Sequence, residues 1–163
     1  MIRQRLGKDL LFFDGGMGTL LQEKGLAPGE LPETWNLTHS EEIYKIHRQY
    51  IEAGSDIILT NTFGANALKF HDDSCSLEEI IKAAVSHVKK AEREALLQTG
   101  DERKIYTALD VGPTGKLLKP MGDLEFETAY EAFKEVVILG EQAGADLIHI
   151  ETMSDTYELK AAV

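Results

Sequence analysis

Cysteine is nearly absent: Cys75 stands alone in 163 residues, so this chain by itself can form neither an internal disulfide nor a metal site of several thiolates. Positive charge is also scarce, with 17 Lys and Arg against 28 Asp and Glu, a formal net charge of -11 and a pI near 4.9. Proteins bind phosphate lattices through cations that displace condensed counterions, and this balance argues against nucleic acid and anionic membrane as partners. No run of 18 apolar residues occurs, nor a basic segment leading into an apolar one, so neither a membrane span nor a secretory signal is indicated and a cytoplasmic location is expected.

What is present is an alternation of short apolar runs and amphipathic stretches. Asp9 to Phe13 reads as a buried strand opening into the turn Asp14-Gly15-Gly16-Met17-Gly18, with a short helix predicted from Thr19 to Lys24. The stretch from Ala27 to Thr34 carries Pro28, Gly29 and Pro32 without an apolar period, which predicts an irregular loop pinned by Trp35 and Leu37. Ser40 is a candidate cap for a helix on Ile43, Ile46, Tyr50 and Ile51, stopped at Gly54. A second strand, Asp56 to Thr60, closes in Asn61-Thr62-Phe63-Gly64-Ala65. Ser76 and Glu79 fit a capping box for the longest helix, which runs to Gly100. Lys104 to Leu109 is the third predicted strand, ending in Asp110-Val111-Gly112-Pro113-Thr114-Gly115; a helix follows over about Phe126 to Ala143, then a fourth strand from Asp146 to Ile150.

Glu52-Ala53-Gly54-Ser55-Asp56-Ile57-Ile58 is echoed by Gln142-Ala143-Gly144-Ala145-Asp146-Leu147-Ile148, and the echo aligns Asn61 with Glu151 and Thr62 with Thr152. Apolar strands alternating with amphipathic helices imply parallel pairing, in either a doubly wound sheet or a (β/α)8 TIM barrel. Four βα units project to a barrel twice this length, so the expected fold class is α/β, with residues 1–163 the N-terminal half of a TIM barrel. A complete four-stranded open sheet is the alternative, provided its outer strands are protected. Because Ala161-Ala162-Val163 reads as the inside of a further helix, a truncated longer enzyme is expected in preference to a natural half-barrel completed by a second chain. Either half-barrel would expose strand edges and self-associate or be only marginally stable.

In both architectures ligands bind beyond the carboxyl ends of the strands. All four predicted strands end in hydrogen-bonding groups: Asp14; Thr60, Asn61 and Thr62; Asp110; and Glu151. An acid at one strand end is ordinarily just solvated, but four such ends in a row point to a site. Converging carboxylates suit an ammonium, and backbone N–H groups of a glycine turn suit a carboxylate, so an amino acid or amine is the expected ligand. Gly15-Gly16-Met17-Gly18 is not a dinucleotide fingerprint, since Leu21 stands where a third glycine is required, and no Gly-Lys-Ser/Thr follows. His149 and Glu151 share a strand face, as an acid–base pair or with His149 as a hydrogen-bonded interior residue. His39, His47, His71 and His87 lack ligand spacing and are expected at the surface. Cys75, beside Asp72, Asp73 and Ser74, lacks cations that would lower its pKa and is expected to be inert.

Phe13-Asp14-Gly15-Gly16-Met17-Gly18-Thr19, Tyr50-Ile51-Glu52-Ala53-Gly54-Ser55-Asp56, Thr60-Asn61-Thr62-Phe63-Gly64-Ala65-Asn66, Asp110-Val111-Gly112-Pro113-Thr114-Gly115 and Ile150-Glu151-Thr152 follow one another in order. Together they resemble, over essentially the whole chain, the homocysteine-binding module of the homocysteine S-methyltransferase family, cobalamin-dependent methionine synthases included. The resemblance implies a TIM-barrel methyltransferase in which zinc on three cysteines holds homocysteine as a thiolate that attacks a methyl group, here from methylcobalamin on a separate module and ultimately from methyltetrahydrofolate. It also implies that Asp14 and Glu151 receive the amino group, that Gly15 and Gly16 offer backbone amides, and that Thr60, Asn61 and Thr62 line the pocket. The family's Asn-Cys and Gly-Gly-Cys-Cys-Gly zinc motifs do not occur here, so the chain alone is expected to be inactive, with the remaining half-barrel and the cobalamin module as its partners. A metal-free amino-acid-binding or assembly module is the alternative. A lyase or aldolase would want a lysine at a strand end, and no predicted strand ends in one.

Overall fold

The computed structural model describes residues 2–70, 75–100 and 102–163; His71, Asp72, Asp73 and Ser74 lie outside the described residues. Among the described residues, six α-helices and three strands follow in the order α1 (Met17–Glu23), α2 (Trp35–Thr38), α3 (Ser40–Ala53), β1 (Ile57–Leu59), α4 (Leu77–Thr99), β2 (Tyr106–Val111), α5 (Phe126–Ala143), β3 (Leu147–Ile150) and α6 (Thr156–Ala162), with 3-10 turns at Ile2–Gln4 and Pro32–Thr34.

The strands pair in parallel in the order β1-β2-β3, with Ile58 opposite Thr107 and Asp110 opposite His149. Side chains alternate across the sheet. Ile58, Leu109 and Val111 enter the cores shared with helices, while Ile57, Tyr106 and Ala108 form a separate cluster with Ile2, Leu11, Leu59 and Leu147. The helices pack as neighbours, α3 on α4, α4 on α5 and α5 on α6. Strands added always on the same side, with helices against one face only, form a singly wound arc, whereas a doubly wound sheet reverses its strand order and carries helices on both faces.

The main departure from expectation is the first strand. Phe13 makes an isolated parallel bridge to Ile57, and Phe12 O accepts from the Asp56 and Ile57 N–H groups at 2.8 and 3.0 Å, but no ladder develops over residues 9–13. Leu10, Phe12 and Phe13 are exposed instead of buried, because among the described residues no strand pairs with their far edge. β2 extends through Asp110 and Val111, two residues past the predicted end, and is buried along its whole length.

Local signals explain most helix ends. Ser76 and Glu79 form the reciprocal capping box at the start of α4, and α3, α4 and α5 each end on a left-handed glycine, Gly54, Gly100 and Gly144. Ser40 is not a cap: it is the first residue of α3, and His39 occupies the cap position without a side-chain bond, its ring stacked on Trp35 at 4.1 Å. Trp35 does anchor the preceding loop, donating from Nε1 to Glu30 Oε1 at 2.8 Å, whereas Leu37 is exposed. The echoed aspartates do equivalent work, since Asp56 Oδ2 accepts from Phe12 N–H at 3.1 Å and Asp146 Oδ2 from Thr107 N–H at 2.9 Å, each tying a strand start to its neighbour.

His47 corrects the surface expectation. It falls on the buried stripe of α3 with Ile43 and Ile51 and is fully enclosed, which pushes its imidazole pKa down to about 3, with His87 adding to the effect. His87 is partly buried as well, a ring nitrogen lying 2.7 Å from Asn36 O. Among the described residues no helix is long and apolar enough to cross a membrane.

Candidate functional site

A cavity of about 560 Å³ opens at the carboxyl end of the sheet. Its walls bring together six of the seven predicted site residues, Asp14, Gly15, Gly16, Thr60, Asn61 and Glu151, and add Asp110, Glu33 and Lys69.

Asp14 leaves the bridge to β1 with its N–H on Ile57 O at 3.0 Å, and its Oδ2 accepts from Leu59 N–H at 3.1 Å. Asp110, at the end of β2, donates its N–H to Thr60 Oγ1 at 3.2 Å. Glu33 sits in the 3-10 turn before α2, its Oε1 accepting from Gly64 N–H at 2.5 Å. In each residue the second oxygen, Asp14 Oδ1, Asp110 Oδ1 and Glu33 Oε2, is buried with no hydrogen-bond partner among the described residues. Glu151, just past β3, is the more exposed fourth acid, with Oε2 at 3.7 Å from His149 Nε2. His149 also lies against the Phe13 ring, 4.9 Å between centroids, so the structure provides the paired geometry and not an enclosed histidine.

Burial without a counter-charge favours the protonated form of Asp14 and of Asp110. Burial raises Asp14 to about 7, Glu151 adding to the rise, and raises Asp110 to about 8, with Glu151, Asp14 and Glu33 contributing in that order. Such a cluster is poised for an ammonium, which offers hydrogen-bond donors and positive charge to the same unpaired oxygens.

Thr62 is the predicted residue that stays outside the cavity. Fully buried behind it, its hydroxyl lies 2.6 Å from Thr60 Oγ1 and donates to Asp110 O at 2.8 Å, bracing the ends of β1 and β2. Asn61 lines the cavity but uses its amide on the protein: Nδ2 donates to Pro32 O at 2.8 Å, and Asn36 Nδ2 donates to Asn61 O at 2.8 Å. These bonds clamp the loop that delivers Glu33. A Cβ on Gly15 would meet Tyr50 Oη at 2.7 Å, so a larger residue there would have to displace the end of the tyrosine side chain.

Residues 11–163 match the family model described as homocysteine S-methyltransferase. The chain belongs to the homocysteine S-methyltransferase family. It is 32% identical to methionine synthase of Mycobacterium leprae over 166 residues and 33% identical to that of Mycobacterium tuberculosis over 164, covering 98% and 97% of this chain but 14% of each of those proteins. Its fold is shared with the Escherichia coli homocysteine methyltransferase MmuM. The metallated form superposes with a TM-score of 0.84 at 23% identity and the oxidized form with 0.83 at 24%; 98% of this chain is covered, and 60% and 59% of those chains. The chain therefore spans about one-seventh of the methionine synthases and three-fifths of MmuM.

Among the described residues no three His, Cys, Asp or Glu side chains converge as a metal centre, and Cys75 is half-buried against the α4–α5 core, outside the cavity lining. Asp110 was read as a strand-end acid of the site, and the structure places it within β2, following Tyr106 and Ala108 at period two. Glu33 was missed: it lies in an aperiodic Pro-containing loop and carries no sequence cue.

Proposed function

We propose that residues 1–163 form the N-terminal half of a homocysteine-binding TIM barrel and receive the amino-acid end of homocysteine in a methyltransferase that makes methionine. The observation that carries this reading is that three carboxylates, each with a buried oxygen lacking a partner among the described residues, line one cavity in a chain of this family. Asp14 and Glu151 take the ammonium with Asp110 beside them, Thr60 and Asn61 form the wall, and the bare turn at Gly15 and Gly16 lets the substrate approach the backbone. Zinc, its thiolate ligands and the methylcobalamin module belong to residues outside this chain. When bound, zinc would lower the thiol pKa and hold the sulfur. The exposed far edges of residues 10–13 and the half-buried β3 are where the rest of the barrel would pair. The choice of methylcobalamin is supported by the likeness to methionine synthases.

The test is methionine formation from L-homocysteine and methylcobalamin, followed by mass spectrometry. Activity is expected from a protein that joins this chain to the remaining half-barrel, and none from residues 1–163 alone. Turnover by the isolated chain would refute the division of labour, and silence from both proteins would refute the methyltransferase reading.

A further inference from the structure

The turn Asp14-Gly15-Gly16 lines the cavity, yet its two glycines offer no side chain through which it could hold its own path. Its course is therefore set by what grips it from outside. At one end β1 does so, with Asp14 N–H on Ile57 O at 3.0 Å and Leu59 N–H on Asp14 Oδ2 at 3.1 Å. At the other end the grip comes from α3, where Tyr50 Oη donates to Gly16 O at 3.1 Å. Burial raises the phenol pKa, and nearby Asp14 adds to the rise, so the hydroxyl keeps its proton and remains a donor.

The tyrosine ring is itself anchored. It packs against two core clusters, that of Leu21 and Trp35 and that of Ile51 and Val88. It also occupies the space beside Gly15, where a Cβ would stand 2.7 Å from Oη and 3.0 and 3.1 Å from Cε1 and Cζ. A trans peptide holds its C=O and N–H on opposite sides, so the bond to Gly16 O also turns the next N–H, that of Met17, away from the tyrosine. Rotation of this one peptide would break the bond and change the surface that the turn presents to the cavity.

We propose that Tyr50, which does not line the cavity, is a positioning residue for it: the hydroxyl on Gly16 O and the ring edge against Gly15 hold the Asp14-Gly15-Gly16 turn in the form that binds the amino acid. This rests on the amino-acid reading of the cavity given above. Gly15 then serves the site by admitting the tyrosine. The competing role for Tyr50 is core packing alone, in which its hydroxyl has no bearing on the ligand.

The experiment titrates L-methionine by calorimetry into the protein that contains this chain, as wild type, Tyr50→Phe, Gly15→Ala and the double variant. Tyr50→Phe keeps the ring and its packing, and should lose roughly two- to tenfold in affinity, the range for one neutral hydrogen bond. In turnover with methylcobalamin it should raise KM for L-homocysteine by a similar factor and keep kcat within about twofold, the pattern of a lost ground-state contact. Gly15→Ala should cost at least as much as Tyr50→Phe, because its Cβ drives Oη off Gly16 O. The double variant should lose little more than the worse single one, since both changes break the same contact. Unchanged methionine affinity in Tyr50→Phe would overturn the proposal in favour of core packing. Losses that add in the double variant would also overturn it, because Gly15 would then act on the ligand without the tyrosine. Wild type that binds no methionine would overturn the amino-acid reading, and the proposal with it.

Discussion

Asp110→Asn is expected to weaken L-methionine binding roughly ten- to a hundredfold and at the same time raise the melting temperature of the unliganded protein above pH 8. Asp110 is 6% exposed, its Oδ1 has no partner among the described residues, and its ionised form is opposed by burial and by Glu151, Asp14 and Glu33. An amide of the same shape removes the charge that the empty cavity must tolerate and places a donor among the remaining acids. The ligand loses one of the anions that hold its ammonium. A gain in stability coupled to a loss of binding is the mark of a group kept for function at the expense of the fold. Thermal melts between pH 7 and 9, paired with calorimetric titration, read both effects. A lower melting temperature with unchanged affinity would make Asp110 a structural residue.

The second large effect is on pH dependence. Asp14 is raised from 3.8 to about 7 and Asp110 from 3.8 to about 8, so between these values the native protein holds protons that the unfolded chain has released. Stability from these groups is complete below pH 3.8 and is lost as pH rises through 7 and 8. His47 acts in the opposite direction: lowered from 6.5 to about 3, it favours the fold above pH 6.5 and costs stability as pH falls toward 3. The two trends oppose below 6.5, and above it the carboxyls act alone, so unliganded stability should decline from about pH 6.5 to 8. Methionine affinity should rise over the same interval, with proton release, because an ammonium favours ionised carboxylates. Methionine has no thiol, so no sulfur proton enters the balance. Calorimetry in two buffers of different ionisation enthalpy measures the release. Proton uptake, or stability that climbs from pH 6.5 to 8, would contradict the assignment.

Helix positions were legible because each rests on local chemistry: the Ser76–Glu79 box and the glycine stops at 54, 100 and 144 act within a turn of themselves. The repeated Gly-x-Asp units were legible for a related reason, since Asp56 and Asp146 each bind the backbone of the adjacent segment. Residues 9–13 have the composition of a buried strand, but they make a single bridge, Phe13 to Ile57, with no ladder, and no described strand lies along their far edge to cover them. His47 was misjudged as a lone polar residue when its i, i+4 spacing from Ile43 and Ile51 already placed it on the buried stripe.

Of the site, the strand-end residues Asp14, Thr60, Asn61 and Glu151 could be read because strand order dictates where carboxyl ends converge. Thr62 could not be separated from Thr60 by sequence, and only the turn after β1 shows that its hydroxyl faces Asp110 O and not the cavity. Glu33 and Lys69 arrive from loops whose paths depend on long-range bonds, Asn61 to Pro32 for one and Lys69 to Pro113 for the other, and no local pattern announces such contacts.

The most direct test of the central claim is a crystal structure of the protein containing this chain with L-homocysteine bound. The account expects the amine nitrogen within hydrogen-bond reach of Asp14 and Glu151, close to Asp110, in the cavity at the carboxyl end of the sheet. Homocysteine bound elsewhere, or turned so that its sulfur meets these carboxylates, would contradict it.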